Sequence, residues 1–142
     1  MGTGTTETAT GKRAGADGTS RTRKDAVVDF LRAAATGHAR EAFARHAAPA
    51  FRHHNPFFRG DAKSLWEAMD ENAAKFPDKA LEVRHLLADG DYVVAHSSVH
   101  MHPGGAGHAV VHLFRFEGDK VAELWDVGQQ IPAGSPNENG AF

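Results

Sequence analysis

The stretch that decides the fold is residues 108–130, HAVVHLFRFEGDKVAELWDVGQQ. Apolar and polar residues alternate on both sides of a turn at Glu117–Lys120, a pattern that predicts a β-hairpin. Both faces of both strands carry apolar residues, so we expect the hairpin to be central and covered on both sides. His112 and Asp126 are polar residues within these apolar strands and are therefore the first candidates for chemistry.

The length of the turn decides whether His112 and Asp126 face each other. A two-residue loop at Gly118-Asp119 pairs the strands so that His112 lies opposite Trp125. A three-residue loop, Gly118–Lys120, shifts the register by one and places His112 opposite Asp126. Such a shift moves every side chain of a strand to the other face, and both loop types are common.

Burial favours the arrangement in which His112 and Asp126 share a face. It joins Phe114 to Leu124 and gives the Asp126 carboxylate a neighbouring partner, whereas an unpaired buried carboxylate is costly. We therefore predict that His112 and Asp126 project into one cavity between the sheet and the helices, with His54 at its rim.

The rest of the chain has helical periodicity first and alternating strands afterwards, which predicts an α+β fold with helices on one face of a mainly antiparallel sheet. One domain, residues 21–132, is expected between a flexible N-terminal tail (1–20) and an irregular C-terminal tail (133–142). The predicted helices start at Thr22 or Asp25 and end at Gly37, span 39–47, and run from an Asp61 N-cap to Lys75. Residues 50–60 are predicted as a loop, and two further strands as Leu81–Ala88 and Tyr92–His102.

Composition excludes several classes of function. The 142 residues carry a net charge of −2 without a basic stripe, so nucleic acid is not an expected partner. No cysteine is present, which removes thiolate catalysis and disulfides. No apolar run is long enough to span a membrane, and no secretory signal is evident, so a soluble cytoplasmic protein is expected. The ten histidines are the unusual feature.

Two groups of histidines are candidates for function. The His-His-Asn-Pro segment at 53–56 lies among phenylalanines, where polar groups need partners, and His54 is its stronger candidate. His96, His100 and His102 share one face of a predicted strand and could supply metal ligands. Such a face is more often the wetter side of a sheet, so no metal site is predicted.

Asp126 is the best single candidate for an acid or base, with His112 or His54 as a donor to a developing oxyanion. The alternative is a core aspartate bonded to the backbone. There is no glycine-rich phosphate motif and no G-x-S-x-G, so nucleotide binding and acyl-enzyme chemistry are disfavoured. The residues expected to bind substrate are Asn55, Trp66, His96, Phe114 and Trp125.

The chain resembles the SnoaL-like polyketide cyclase family of the nuclear transport factor 2-like superfamily over residues 25–131. The run from Phe114 to Val127 is the most specific piece, and His54–Pro56 supports it. The resemblance implies a cone-shaped α+β barrel and aldol-condensation chemistry, with Asp126 as the aspartate that points into the cone. His112 stands where the family often has an acidic residue, which is a departure from its pattern.

These observations leave three hypotheses. The first is a cofactor-independent enzyme on a small, largely apolar carbonyl compound, in which Asp126 takes a proton and His112 with His54 stabilises the enolate. The second is a noncatalytic ligand-binding or dimerisation module of the same fold, and the third is a histidine metalloprotein. Three short helices cover only one sheet face, so a homodimer is expected through the other, with Trp125 or Leu113 as anchors.

Overall fold

The computed structural model describes the backbone of residues 3–142 and the side chains of residues 18–142. The described residues form three helices and five strands. In chain order these are α1 (Thr3–Ala35), α2 (Ala39–His46), β1 (Ala47–His53), α3 (Ala62–Lys75), β2 (Ala80–Asp89), β3 (Tyr92–His100), β4 (His108–Glu117) and β5 (Lys120–Gln130). The strands form one sheet in the order β1-β5-β4-β3-β2. All neighbours are antiparallel except β1, which runs parallel to β5. The predicted α+β class is confirmed, and the architecture agrees with a cone.

The strand β1 was not predicted from the sequence. Residues 50–60 were expected to be a loop, but residues 50–53 complete a strand that pairs with β5. The segment is short, contains Pro49 and pairs irregularly, with a register shift between Ala47 and Arg52. Proline is tolerated only at sheet edges or bulges, and β1 is one of the two edge strands of this sheet. The pairing depends on a distant strand, so local sequence could not reveal it.

The first helix begins at Thr3, not at Thr22 or Asp25 as predicted. The segment expected to be a flexible tail contains no proline, the residue that disfavours a helix interior most strongly. Residues 1–2 of that segment lie outside the described residues. Arg23 attaches α1 to the hairpin turns, since its guanidinium donates to the Gly118 carbonyl at 2.8 and 3.1 Å and to Asp91 at 3.1 Å.

The central hairpin has the two-residue turn of the first alternative, but a β-bulge gives most of it the strand register of the second. Glu117 pairs with Lys120 across a two-residue turn, and Phe116 pairs with Val121. The register then shifts, so that Arg115 lies opposite Glu123 and Ala122 is the extra residue. As a result His112 lies opposite Asp126, as predicted, although the bulge and not the turn produces the pairing.

The inner face of the sheet carries the core. Val27, Phe30 and Leu31 of α1 are buried as the predicted helical stripe, and Phe30 packs edge-on against Phe114 at 5.5 Å between ring centroids. Helix α3 begins at the predicted cap, where the Asp61 carboxylate accepts from the Ser64 backbone N–H at 2.9 Å. No helix in the described part of the chain is long and apolar enough to cross a membrane.

Phe114 gives a direct test of this core. It is fully buried between α1 and the sheet, so Phe114→Ala should lower the free energy of unfolding by about 3–5 kcal/mol through lost packing and a residual cavity. Phe57 is 86% exposed, and Phe57→Ala should change the same quantity by less than about 0.5 kcal/mol. Urea denaturation measures both, and equal losses in the two variants would contradict the placement of the core.

Candidate functional site

A cavity of about 310 Å³ lies between the inner face of the sheet and the helices. Its wall is mostly apolar, and six polar side chains reach it from four different parts of the chain. The apolar wall residues include Leu31, Leu65, Met69, Leu81, Val99 and Val110. The polar wall residues are Asn55, Asn72, Lys79, His108, His112 and Asp126. An apolar chamber with a few convergent polar groups is typical of a small-molecule site.

Asp126 and His112 are brought together by the β4–β5 register. They occupy directly opposite positions, and side chains so placed have Cβ atoms about 4.5–5.5 Å apart. Asp126 also lines a second depression of about 640 Å³, which shares Asn55, His108 and Val110 with the cavity. Asp126 therefore lies where the two spaces adjoin.

A chain of hydrogen bonds leads from β1 to the Asp126 carboxylate. His53 is buried, and its Nε2 donates to the Arg59 carbonyl at 2.6 Å, which leaves Nδ1 to accept from the Asn55 backbone N–H at 3.2 Å. The Asn55 amide oxygen accepts from the Phe57 N–H at 3.0 Å, and its Nδ2 donates to Asp126 Oδ2 at 3.0 Å. Because both ends of the amide are engaged, Asn55 holds one carboxylate oxygen in place.

His112 is a neutral imidazole in this environment. The residue is 7% exposed, and burial lowers its pKa to about 4. The Asp126 charge opposes this shift and the Lys79 charge adds to it. Its Nδ1 is enclosed without a hydrogen-bond partner among the described residues, as is Nδ1 of His108. A neutral imidazole offers one donor and one acceptor.

Lys79 brings a positive charge to the wall of the same cavity. It is half-buried, burial lowers the pKa of its ammonium, and Nζ donates to Asn72 Oδ1 at 2.7 Å. A turn fixes its backbone, because the Lys79 N–H donates to the Phe76 carbonyl at 3.0 Å across Pro77 and Asp78. Proline is a favoured second residue in such a turn, so the position of Lys79 is defined locally.

His54 does not lie at the rim of the cavity, and its predicted location is wrong. In β1 the side chains alternate, so that Phe51 and His53 point inward while Arg52 points outward. His54 follows in the same alternation and points outward, like Arg52. Its Nε2 donates to Glu123 and its ring stacks on Trp125 at 4.8 Å.

Glu123 is the centre of this outer cluster. It accepts from Arg52 at 2.9 Å and from Arg115 at 3.1 Å, in addition to His54. The Arg52 hydrogen bond is the largest of the effects that lower the pKa of Glu123 to about 2. Trp125 belongs to this outer face as well, so neither Trp125 nor His54 reaches a ligand in the cavity.

The other predicted substrate-binding residues divide between core and surface. Trp66 packs edge-on against Phe43 at 5.7 Å, and Phe114 is fully buried behind His112, so both support the wall without lining it. His96 lies on the outer face, stacked on His85 with 2.9 Å between their Nδ1 atoms. Among the described residues, no group of three or more histidines or carboxylates is arranged to hold a metal ion.

The structure adds Asn72, Lys79 and His108 to the site residues found from the sequence. His108 shares the strand face of His112, so the alternation that identified His112 could also have identified it. Asn72 and Lys79 lie on either side of the turn after α3. Nothing local in the sequence predicts that this turn packs near β4 and β5.

The chain belongs to the SnoaL-like domain family, whose model matches residues 27–124. No functionally curated protein matches it. Among solved structures it is similar to AclR of Streptomyces galilaeus, a candidate hydroxylase, with 24% identity and a TM-score of 0.63 over 75% of this chain and 88% of that one. A candidate polyketide cyclase from Acidithiobacillus ferrooxidans is 21% identical, with a TM-score of 0.60 over 77% and 89%.

The fold is also shared with solved structures outside the cyclase group. A nuclear transport factor 2-like protein from Burkholderia xenovorans LB400 is 16% identical, with a TM-score of 0.66 over 83% of this chain and 90% of that one. At these identities the structural likeness shows the fold alone, so the chemistry has to be argued from the cavity of this chain.

The buried His112 predicts how stability depends on pH. Its folded pKa of about 4 lies below the ordinary histidine pKa of 6.5, so the unfolded chain binds the proton more readily between these values. The stability contributed by neutral His112 is complete above pH 6.5 and is lost as the pH falls toward 4, by about 3 kcal/mol. Urea denaturation from pH 7.5 to 4 should show a steeper loss for the wild type than for His112→Gln. Identical pH dependence in the two proteins would contradict the burial of the imidazole.

Proposed function

We propose that the protein is a cofactor-independent acid–base enzyme that acts on a small, largely apolar carbonyl compound in the inner cavity. The reaction class is aldol condensation, with cyclisation, or isomerisation through an enolate. The observation that supports it most is the pairing of Asp126 with His112 in the cavity wall. A carboxylate and a neutral imidazole on one apolar wall provide a proton acceptor and a hydrogen-bond donor.

The proposed reaction begins with proton transfer from the carbon next to the substrate carbonyl to a carboxylate oxygen of Asp126. The electron pair of that C–H bond moves to the carbonyl oxygen, which becomes an enolate. We assign the mobile proton of His112 to Nε2, since Nδ1 is enclosed without a partner, and Nε2–H then donates to the enolate oxygen. In an aldol step the enolate carbon bonds to a second carbonyl, and the proton on Asp126 passes to the new alkoxide. In an isomerisation the proton returns to a different carbon.

Asn55 has a positioning role in this proposal. Its amide holds Oδ2 of Asp126 and leaves Oδ1 of the carboxylate for the substrate proton. Asn55 is fixed in turn because its N–H donates to His53 and its amide oxygen accepts from the Phe57 N–H, so the carboxylate is oriented before a substrate arrives. His54, which the sequence had suggested as a second donor, has no part in this chemistry.

The second candidate is a noncatalytic ligand-binding module. The apolar wall of the cavity favours it, because an apolar pocket binds small molecules whether or not chemistry follows. It predicts that a ligand is recovered without exchange of its acidic C–H protons.

Deuterium exchange separates the two candidates. Aryl methyl ketones and cyclic 1,3-diketones incubated with the protein in D₂O should lose their acidic C–H signals in proton NMR spectra faster than without protein. Asp126→Asn should lower that rate at least about 100-fold, because the amide cannot accept the proton. Asp119→Asn, on the exposed turn of the same hairpin, removes the same charge and should leave the rate unchanged. Wild-type exchange equal to the background rate, or unaffected by Asp126→Asn, would exclude the proposed base.

We further propose that the protein is a homodimer through the outer face of the sheet. No helix covers this face in the described chain, and it exposes Val111 and Leu87 beside the half-buried Trp125 and Leu113. Val127, on the same face, is 71% exposed. Contiguous apolar surface of this kind marks interaction sites in soluble proteins, and a second copy of the chain offers the same apolar surface in return.

Light scattering tests the dimer. The wild type at micromolar concentration should have a mass near twice the 15.2 kDa of one chain. Val111→Arg places a charge on the outer face and should yield a monomer, whereas Ala74→Arg, on the exposed side of α3, should not. A wild-type mass near that of a single chain would contradict the dimer.

A further inference from the structure

Lys79 is a cation without a carboxylate partner in the wall of the cavity. None of the ion pairs of the described residues includes it, and its hydrogen-bond partner is the neutral amide oxygen of Asn72. An ammonium group has three donors, of which this contact uses one. Taking a cation out of water without a counter-ion is costly, so the other two donors favour an acceptor brought by a ligand.

The surroundings of Lys79 distinguish it from the many solvated lysines of protein surfaces. Its side chain is half-buried and its backbone is fixed by the turn at Pro77. Leu81, Val99 and Met101 line the same cavity and make its wall apolar. A ligand in the cavity would therefore meet the ammonium in a place partly shielded from water, where an ion pair is stronger than at the surface.

Lys79 and Asp126 lie in different parts of the cavity. Asp126 and Asn55 also border the second depression, whereas Lys79 and Asn72 do not. His112 lines the cavity with both groups and lies directly opposite Asp126 in the β4–β5 pairing. The wall therefore carries a carboxylate beside the second depression and an ammonium away from it, and a bound molecule with two different ends would be oriented by them.

We propose that the ligand of this cavity is a carboxylate: a small apolar molecule whose anionic group binds the Lys79 ammonium while its carbonyl end faces Asp126 and His112. The Asp126 charge disfavours the reverse orientation, because it would place two carboxylates side by side. Asn72 is a positioning residue, since it holds the ammonium at the wall. This proposal deepens the proposed function by naming the class of substrate, but ligand binding tests it without turnover.

Binding of a matched pair of probes to the full chain tests the proposal. Isothermal titration at pH 7 compares 2-naphthoate with 2-naphthamide, which has nearly the same shape and no charge. The wild type should bind the carboxylate about tenfold more tightly, as expected for one charge-assisted hydrogen bond. Lys79→Met should abolish this preference and leave the affinity for the amide unchanged. Lys79→Arg should retain part of it.

The controls separate this proposal from the catalytic one. Lys75→Met removes an exposed lysine from the end of α3 and should keep the preference for the carboxylate. Asp126→Asn should bind naphthoate at least as tightly as the wild type. A separate outcome is that the wild type prefers the carboxylate probe while neither it nor any variant catalyses C–H exchange. In that case the cavity is an anion-binding site without the proposed chemistry.

Three results overturn the proposal. They are equal affinity of the wild type for the two probes, an unchanged preference in Lys79→Met, and failure of both probes to bind at millimolar concentration. Circular dichroism establishes that each variant is folded, and Lys79→Gln, which keeps a polar group at the cavity wall, replaces Lys79→Met if the latter does not fold.

Discussion

The β-bulge at Ala122 is the constraint on which the rest of the structure depends. A two-residue turn alone would leave Phe116 and Leu124 on opposite faces of the hairpin, since side chains alternate strictly along a strand. One extra residue in β5 returns Leu124 to the inner face opposite Phe114, and both are fully buried there. The same step carries Asp126 inward. The packing of the core and the composition of the cavity wall therefore follow from one local irregularity.

The bulge also sorts the acidic groups of β5 between two environments. Glu123 faces outward, where Arg52, Arg115 and His54 satisfy its oxygens and hold its pKa at about 2. Its charge is compensated, and it needs no further partner. Asp126 faces inward and has a single amide donor, from Asn55. Of these two carboxylates of one strand, only Asp126 retains capacity to accept a proton or a hydrogen bond from a ligand.

The sequence predicted the elements whose signals are local. The alternation in residues 108–130, the stripe of α1 and the Asp61 cap each rest on neighbours in the chain, and the structure contains all three. Burial also predicted that His112 and Asp126 share a face, because the energetic argument did not depend on how the register is achieved. The bulge itself has no local signature, since Ala122 is an ordinary strand residue.

The errors of prediction at the site have one common cause. Residues 50–60 were interpreted as a loop, and a loop gives no rule for which side chains point the same way. In a strand the side chains alternate between the two faces, which places His53 inward and His54 outward. The chain of hydrogen bonds from His53 through Asn55 to Asp126 follows from that alternation of side chains. Lys79 was missed for a related reason, because its approach to the cavity depends on how α3 packs and not on its own neighbours.

The inner cavity combines a neutral histidine with two unlike charges in one wall, and this arrangement has a consequence for catalysis. A protonated imidazole would be attracted to Asp126 and would compete with the substrate for its carboxylate. Burial and Lys79 both oppose that protonation, so His112 stays neutral above pH 6.5 although a carboxylate lies opposite it. A neutral imidazole donates to an enolate without neutralising the base that forms it. The lysine therefore contributes to the proposed chemistry even before it contacts a ligand, since its charge helps to keep the donor and the base as separate groups.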